Sequence, residues 1–441
     1  ETETKPASEH LFKLIADVRA SDIEPYQDQT VTQPLVESRP TGGTIVKEED
    51  GAFGSRVLTL GNGVRVVLKN TEYQKDEIIM SGYRKGGTSL FPDSDIESLT
   101  WVNAIHGIMG LGDFNQMELG KVLTGKHAAA NVSLSSQSEQ ASGTCSVRDF
   151  ETMLQLLALN FRPQRIDQDA FASFTARQRK AMENKEADPM KSFQDTVRTI
   201  TAVNTARTVL MHPEMVDRID LARVKAIYDS RFDHADGFTF AIVGNIDNDS
   251  LRTLIAAYLG TLPVKGVADE PVNRNQGIRK GRYQSMFNRD MEMDRSTVLL
   301  LRQAELPYTL RNSMLMQHLE QALQKSMLEK MREEAGATYT PGVSGGVSHD
   351  AFGDEASLEV YFQTSPEMRD ALIGIARGEI QRIMDQGVSD EQVEKTRQLQ
   401  IKNHTEALRK NAYYMGILLS YYRYGFDLDS DFDTVVNSIK A

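Results

Sequence analysis

The stretch RVLTLGNGVRVVLKNT, Arg56–Thr71, decides the first part of the fold. Apolar and polar residues alternate, as they do in strands, in two runs within it, Val57–Leu60 and Val64–Leu68. The intervening Gly61-Asn62-Gly63 is a strong signal for a tight hairpin. Further along, FTFAIV, Phe238–Val243, is short and continuously apolar, which is typical of a strand buried on both faces. Helix-forming segments lie between and after these strands, so the sequence predicts an α+β fold.

The second half of the chain repeats this order of elements. STVLLLRQ, 296–303, predicts a strand, and the long segment SMLMQHLEQALQKSMLEKMREEAG has helical periodicity with its expected stop at Gly336. Two strands, Tyr339–Val347 and Ala356–Gln363, and two further helices follow. Because order and spacing both repeat, internal duplication is favoured over a chance match.

We therefore predict three regions. Residues 1–50 form an N-terminal helix and an extended linker, and residues 51–268 and 276–441 form two similar units. Each unit is expected to be a mainly antiparallel sheet with helices packed on one face. The second unit ends before any counterpart of FTFAIV, and omitting that strand would expose a sheet edge. Since the chain also starts without a methionine or a signal-peptide pattern, we expect a piece of a longer protein that continues for another strand and helix.

Composition excludes several classes of protein. Fifty basic residues against 62 acidic ones leave a net charge of −12, which argues against binding to a nucleic-acid backbone. No apolar run approaches the roughly 18–20 residues that span a bilayer. The single cysteine, Cys145, excludes an internal disulfide framework and a cysteine-rich zinc module. Its alternating surroundings lack positive charge and indicate a packed residue rather than a catalytic thiol.

The histidine spacing is not that of a helical zinc site. No two histidines lie three or four positions apart, so neither H-E-x-x-H nor H-x-x-E-H occurs. The eight are His10, His106, His127, His212, His234, His318, His349 and His404. His349 with Asp354 and Glu355 could imitate a metal-binding loop, although a solvated polar turn is the favoured interpretation. Neither a G-x-S-x-G nucleophile motif nor a phosphate loop is present, so the residues alone indicate no self-contained active site.

Three segments resemble the M16 (pitrilysin/insulysin, inverzincin) zinc metallopeptidases. They are SRVLTLGNGVRVVLKNTEY, FTFAIVGNIDNDSLRTLIAAYLGTLP and KMREEAGATYTPGVSG, and the resemblance extends from about Arg56 to the last residue. It implies homologous α/β units, two in each half of the protein, with the two halves closing around an unfolded peptide. The duplication described above corresponds to the two units of one half.

The resemblance also implies which half this is. The zinc helix of the family, H-x-x-E-H, falls on IESLTWVNAIH, where Trp101 and Ile105 replace the two histidine ligands and Ala104 replaces the general base. Apolar side chains cannot bind zinc or transfer a proton. The chain is therefore expected to be the non-catalytic C-terminal half, with no metal site or cofactor of its own. The zinc would lie in the N-terminal half of the parent.

The resemblance also implies a role for one pair of residues in this chain. C-terminal halves of M16 peptidases carry an arginine and, seven residues later, a tyrosine that reach the substrate, and these correspond to Arg332 and Tyr339. The resemblance implies that both bind substrate and that Tyr339 assists catalysis as an oxyanion donor. The alternative is that Arg332 only complements a helix C-terminus and that Tyr339 is an ordinary strand aromatic. The resemblance favours the first interpretation.

These observations predict a metalloendopeptidase whose activity resides in the full-length protein, this fragment alone being inactive. The expected partners are the N-terminal catalytic half of the same polypeptide and peptide substrates, with no nucleic acid and no membrane span. A periplasmic or secreted bacterial location follows from the resemblance alone. Two alternatives stay open: a non-peptidase scaffold with the same fold, and a peptide-binding or chaperone module.

Overall fold

The computed structural model describes residues 8–21, 33–186, 188–246, 249–334, 336 and 341–440. The strands are β1 (Ile45–Asp50), β2 (Arg56–Leu60), β3 (Arg65–Asn70), β4 (Ile78–Lys85), β5 (Ala128–Leu134), β6 (Ser138–Cys145), β7 (Thr239–Gly244), β8 (Ser296–Glu305), β9 (Gly342–Asp350) and β10 (Gly353–Thr364). The helices are α1 (Ser8–Ala20), α2 (Ile96–Ile108), α3 (Gln116–Val122), α4 (Phe150–Asn160), α5 (Gln168–Glu186), α6 (Pro189–Thr201), α7 (Pro213–Asp217), α8 (Leu221–Phe232), α9 (Asp249–Leu259), α10 (Leu310–Met327), α11 (Arg369–Gln386), α12 (Asp390–Ala407), α13 (Asn411–Tyr424) and α14 (Phe432–Ser438).

The predicted hairpin is present as the antiparallel pair β2–β3. Gly63 at its turn has a φ of 86°, a left-handed conformation that glycine adopts without strain. The side chain of Asn62 donates hydrogen bonds to the carbonyl oxygens of Leu259 and Leu262 at 2.9 and 3.0 Å. The turn is therefore tied to the end of α9. The predicted buried strand is also present, because every residue of β7 is buried.

The first sheet has seven strands in the order β1-β2-β3-β7-β4-β6-β5. Its β3–β7 pair is parallel and its other pairs are antiparallel. The inner face packs against α2, α4, α8 and α9 to form the main hydrophobic core.

The assignment of residues 1–50 to a region outside the first unit needs a correction. Ile45–Asp50 is the edge strand β1 and pairs antiparallel with β2. Its polar sequence IVKEED suggested a linker, but an edge strand needs only main-chain pairing and tolerates charged, solvated side chains. The first unit therefore begins at Ile45 rather than at Gly51.

The second sheet has three antiparallel strands in the order β8-β10-β9. This order matches β4-β6-β5 of the first sheet. Both sets follow a succession of strand, helix, two strands and two helices, and the first set has the short helix α3 in addition. The repeated architecture predicted from the sequence is present in this shared part. In the described residues, the second sheet has no counterpart of β2, β3 or β7.

One helix departs from the expected arrangement of each unit. α13 belongs in sequence to the second unit, but it packs on the outer face of the first sheet, where Met415 and Leu418 meet Val57, Val67 and Val243. These valines point away from the main core. Burying their apolar side chains is favourable, which is why α13 packs over them as a second layer. The first sheet thus has helices on both faces, and the boundary between residues 268 and 276 does not divide the packing.

No described helix is long and apolar enough to cross a membrane.

Candidate functional site

Arg332 lies where the helix of the second unit changes its winding. α10 ends at Met327, and Leu328–Glu334 continues it as a π-helical segment. Such segments are rare and frequently occur at functional sites. Met331 is fully buried and anchors the segment, whereas Arg332 beside it is exposed. Gly336, with a φ of 62°, donates its N–H to the carbonyl of Arg332 at 3.1 Å and forms the predicted helix stop.

Tyr339 falls outside the described residues, so its predicted role stays a prediction. The strand expected over Tyr339–Val347 is described from Pro341 onward, and β9 begins at Gly342. The structure therefore gives no distance between Arg332 and Tyr339.

Gln324 of α10 binds the main chain at the start of β9. Its Nε2 donates to the carbonyl of Pro341 at 2.9 Å, and its Oε1 accepts the N–H of Val343 at 2.8 Å. One side chain of α10 thus fixes the point at which the chain enters β9. Sequence reasoning missed Gln324, because a glutamine inside an amphipathic helix carries no signal of its partners.

The second sheet presents an outer face on which no described helix packs a hydrophobic core. Its β9 side chains on this face are short, and they belong to Gly342, Ser344, Gly346 and Ser348. A Cβ atom added at Gly346 would meet nothing within 4 Å. The β10 side chains on the same face, including Glu359 and Tyr361, are half-buried. Among the described residues, this outer face therefore has no counterpart of α13, which covers the outer face of the first sheet.

At the tip of β9 and β10, His349 and Asp354 bond to each other and to the neighbouring main chain. Nδ1 of His349 lies 2.5 Å from Oδ1 of Asp354, and the other carboxylate oxygen of Asp354 accepts the N–H of Tyr308 at 2.7 Å. These contacts hold the pKa of Asp354 below its ordinary value, the Tyr308 N–H having the larger effect. Glu355 points to the other face of β10, where burial and then the charge of Asp350 raise its pKa. No group of three possible metal ligands occurs among the described residues.

The positions that resemble a zinc helix lie on α2 and are filled by the core. Trp101 and Ile105 are buried, and the indole of Trp101 packs edge-on against Phe174 with ring centroids 5.8 Å apart. Ala104 is exposed but has no group that could move a proton. Neighbouring His106 binds Asn160 through Nε2 at 2.9 Å, and burial lowers the pKa of its imidazole. This helix does not fit a zinc ion.

Cys145 is buried at the end of β6. Burial, and to a smaller extent the charges of Asp149 and Asp76, raise the pKa of its thiol to about 12. A thiol that stays protonated at neutral pH is a poor nucleophile, in agreement with the packed role predicted from the sequence.

The comparisons with known proteins address the same region. Residues 218–400 match the profile described as the Peptidase M16 inactive domain, a range that runs through β8, α10, the Arg332 segment and β9. Over these residues the chain is similar to the inactive domain of M16 peptidases. The resemblance noted in the sequence is thereby confirmed, including its assignment to an inactive domain.

Individual proteins that the chain resembles are named as proteases. The zinc protease PQQL-like of Arabidopsis thaliana is 23% identical over 436 residues, covering 94% of this chain and 43% of the relative. The periplasmic protease PqqL from Escherichia coli superposes with a TM-score of 0.77 at 19% identity, over 99% of this chain and 48% of PqqL. The ferredoxin protease FusC, solved with Arabidopsis ferredoxin, gives a TM-score of 0.79 at 14% identity, with the same coverage. The chain thus spans less than half the length of these relatives, and the structural likeness at such identities establishes the fold.

Proposed function

We propose that this chain is the zinc-less half of a zinc metalloendopeptidase and that it provides part of the wall of a peptide-binding chamber. The observation that supports this most is the outer face of the second sheet, on which no described helix packs a hydrophobic core. The match to an inactive M16 domain and the zinc-protease relatives of about twice its length agree with such a role. The zinc would be held by the other half of the full-length protein.

Arg332 and Tyr339 are proposed to contact the substrate. Peptide hydrolysis builds negative charge on the scissile carbonyl oxygen, and a donor aimed at that oxygen stabilises the transition state. The Tyr339 hydroxyl would be that donor. The planar guanidinium of Arg332 keeps its charge at neutral pH and can hold a neighbouring substrate carbonyl in register. The exposure of Arg332 and its π-helical setting support this role.

The relatives suggest the compartment and the kind of substrate. PqqL is described as periplasmic, and FusC was solved in complex with Arabidopsis ferredoxin. We therefore propose a periplasmic or secreted enzyme that acts on polypeptides. A peptide-binding module without catalysis is the second candidate, because an open sheet face suits an extended peptide whether or not it is cleaved.

Kinetics of the full-length natural protein test the proposal. Tyr339→Phe should lower kcat by about 10²–10³ with unchanged folding, because only a hydroxyl is lost. Arg332→Ala should lower kcat/KM and raise KM, and Arg332→Lys should restore part of the loss. Arg369→Ala, which removes an arginine paired only with neighbouring Asp370 among the described residues, is the matched control. Wild-type kinetics in both test variants would contradict the proposal.

A further inference from the structure

The helix that leads to Arg332 changes its winding next to a buried carboxylate. α10 ends at Met327, and the π-helical segment begins at Leu328. Glu379 of α11 lies beside this junction, and its side chain is 9% exposed. Because π-helices are rare, contacts from outside the segment are expected to hold it in this winding. The carboxylate of Glu379 provides such contacts.

Glu379 bonds to residues on both sides of the junction. The hydroxyl of Ser326, in the last turn of α10, donates to its Oε2. Within the π-helical segment, Nζ of Lys330 lies 3.9 Å from its Oε1. Nε of Arg382, three residues further along α11, donates to Oε2 at 2.8 Å. Burial alone would raise the pKa of Glu379, but Ser326, Arg382 and Lys330 together hold it below its ordinary value.

An apolar contact accompanies these polar ones. Met331 is fully buried and belongs to the same hydrophobic cluster as Ile380 of α11. Ile380 follows Glu379 in the chain, so one turn of α11 provides both the apolar and the polar contact. The segment is thus held against α11 at Lys330 and Met331, the two residues that precede Arg332.

These contacts determine the side of the helix on which Arg332 emerges. At 3.6 residues per turn, a residue two positions after Lys330 lies about half a turn away from it. Lys330 faces Glu379 on α11, and Arg332 is exposed. Because the winding sets the direction of every later side chain, a change of winding at the junction would turn Arg332 about the helix axis.

We propose that Glu379 is a positioning residue that directs Arg332 toward the substrate by holding the π-helical segment. The inference rests on the proposed function of Arg332, and it adds the residue that fixes the orientation of this side chain. Glu379 acts through its bonds to Ser326 and Lys330 rather than by contact with substrate. Misplacing a substrate-binding group by about 1 Å can cost about 10²-fold in rate, so loss of the carboxylate should be visible in kinetics.

Kinetics of the full-length natural protein test the inference. Glu379→Gln keeps the size of the side chain but removes the charge that faces Lys330, and it should raise KM and lower kcat/KM by about tenfold or more. Asp385→Asn changes an exposed carboxylate on the same helix and is the matched control, which should behave as wild type. In an Arg332→Ala background, Glu379→Gln should have no further effect, because its role acts through Arg332.

A purely structural role would give a different pattern. Loss of folded protein would lower kcat in both backgrounds and leave KM unchanged, and this result would overturn the inference. A wild-type KM for Glu379→Gln, when Arg332→Ala is impaired, would also overturn it and would leave the proposed function standing. Wild-type kinetics of Arg332→Ala would refute the proposed function and this inference together.

Residue-resolved amide exchange in the 441-residue chain gives a readout that requires no activity. Glu379→Gln should speed exchange in the π-helical segment by about tenfold or more, because a charged hydrogen bond is lost, and should leave β10 unchanged. Ser326→Ala removes only the bond on the α10 side and should give a smaller change of the same kind. Unchanged exchange in the π-helical segment of both variants would overturn the inference.

Discussion

Arg84 and Glu139 form an ion pair in the interior of the first unit, with Nε and Oε2 3.1 Å apart and side-chain exposures of 4% and 0%. The other oxygen of Glu139 accepts from Nε of Arg231 at 2.7 Å and from the N–H of Gly87 at 3.0 Å. Burial lowers the pKa of Arg84, and Glu139 opposes that effect. One carboxylate thus joins β4, β6 and α8 at the turn that follows β4.

Removing that carboxylate should be costly. Glu139→Gln leaves two buried guanidinium groups without their shared counter-ion, and breaking a buried pair typically costs about 3–5 kcal/mol. Urea unfolding of the whole chain would measure the change. Glu270→Gln is the matched control, because Glu270 pairs with Lys85 at exposures of 74% and 60% and should matter by less than about 0.5 kcal/mol. Equal stability of the two variants would contradict the structural role of Glu139.

One hydroxyl should contribute measurably to the attachment of α13 to the first unit. The Tyr422 hydroxyl accepts the N–H of Ala52 at 2.9 Å and lies 3.3 Å from Oγ of Ser55. Tyr422→Phe leaves that N–H without a partner, which should lower the free energy of unfolding by about 1–3 kcal/mol. Tyr421→Phe serves as the comparison, since the Tyr421 ring is 39% exposed. Thermal unfolding that is equal for both variants would disprove the contribution of this bond.

Asp149 should make the free energy of unfolding depend on pH in the acid range. Burial alone would raise its pKa, but hydrogen bonds from the His127 N–H and the Ser146 hydroxyl, with Arg148, lower it from 3.8 to about 2. A carboxyl group with a lowered native pKa stabilises the fold above its unfolded pKa and loses this contribution as the pH falls. Asp149→Asn should therefore cost about 1–2 kcal/mol at pH 7 and progressively less between about pH 4 and pH 2.

Chemical denaturation at several pH values would check this dependence. Asp169→Asn, at an exposed position on α5, is the control and should leave the stability curve unchanged. A difference between Asp149→Asn and wild type that stays constant down to pH 2 would show that the carboxylate is not the source.

The isolated chain should bind no stoichiometric zinc and hydrolyse no peptide. The reason is that Trp101 and Ile105 are packed in the core at the two positions where zinc ligands would stand. Metal analysis of protein that has been washed with chelator and reloaded with zinc would measure the stoichiometry, and a labelled peptide would report cleavage. One tightly held zinc per chain together with peptidase activity would refute the assignment.

Local signals in the sequence were sufficient for the elements that depend on neighbours in the chain. The glycine-flanked hairpin, the buried strand β7 and the helix stop at Gly336 were all predicted, because each depends on a few adjacent residues. Ser389 caps α12 by accepting the N–H of Gln392 at 3.3 Å, a bond between residues only three positions apart. The long helix was located correctly, but its periodicity did not reveal the π-helical end at Leu328.

Contacts between distant segments could not be predicted from such local signals. The Ala52–Tyr422 bond joins residues 370 positions apart, and the Glu139–Arg231 pair joins residues 92 positions apart. Hydrophobic periodicity shows which side of an element is apolar, but it does not identify the element that will cover it. For the same reason, the sequence indicated Arg332 by resemblance and gave no indication of Gln324.

The position of α13 constrains how this protein can be divided. A fragment that ends in the linker near residue 270 would retain all seven strands of the first sheet, yet Val57, Val67 and Val243 would lose the helix that shields them. Such a fragment would expose an apolar surface formed by these valines and would be prone to aggregate. The two units, although similar in architecture, are therefore inseparable in practice, and a domain-by-domain expression strategy should keep residues 45–424 on one polypeptide.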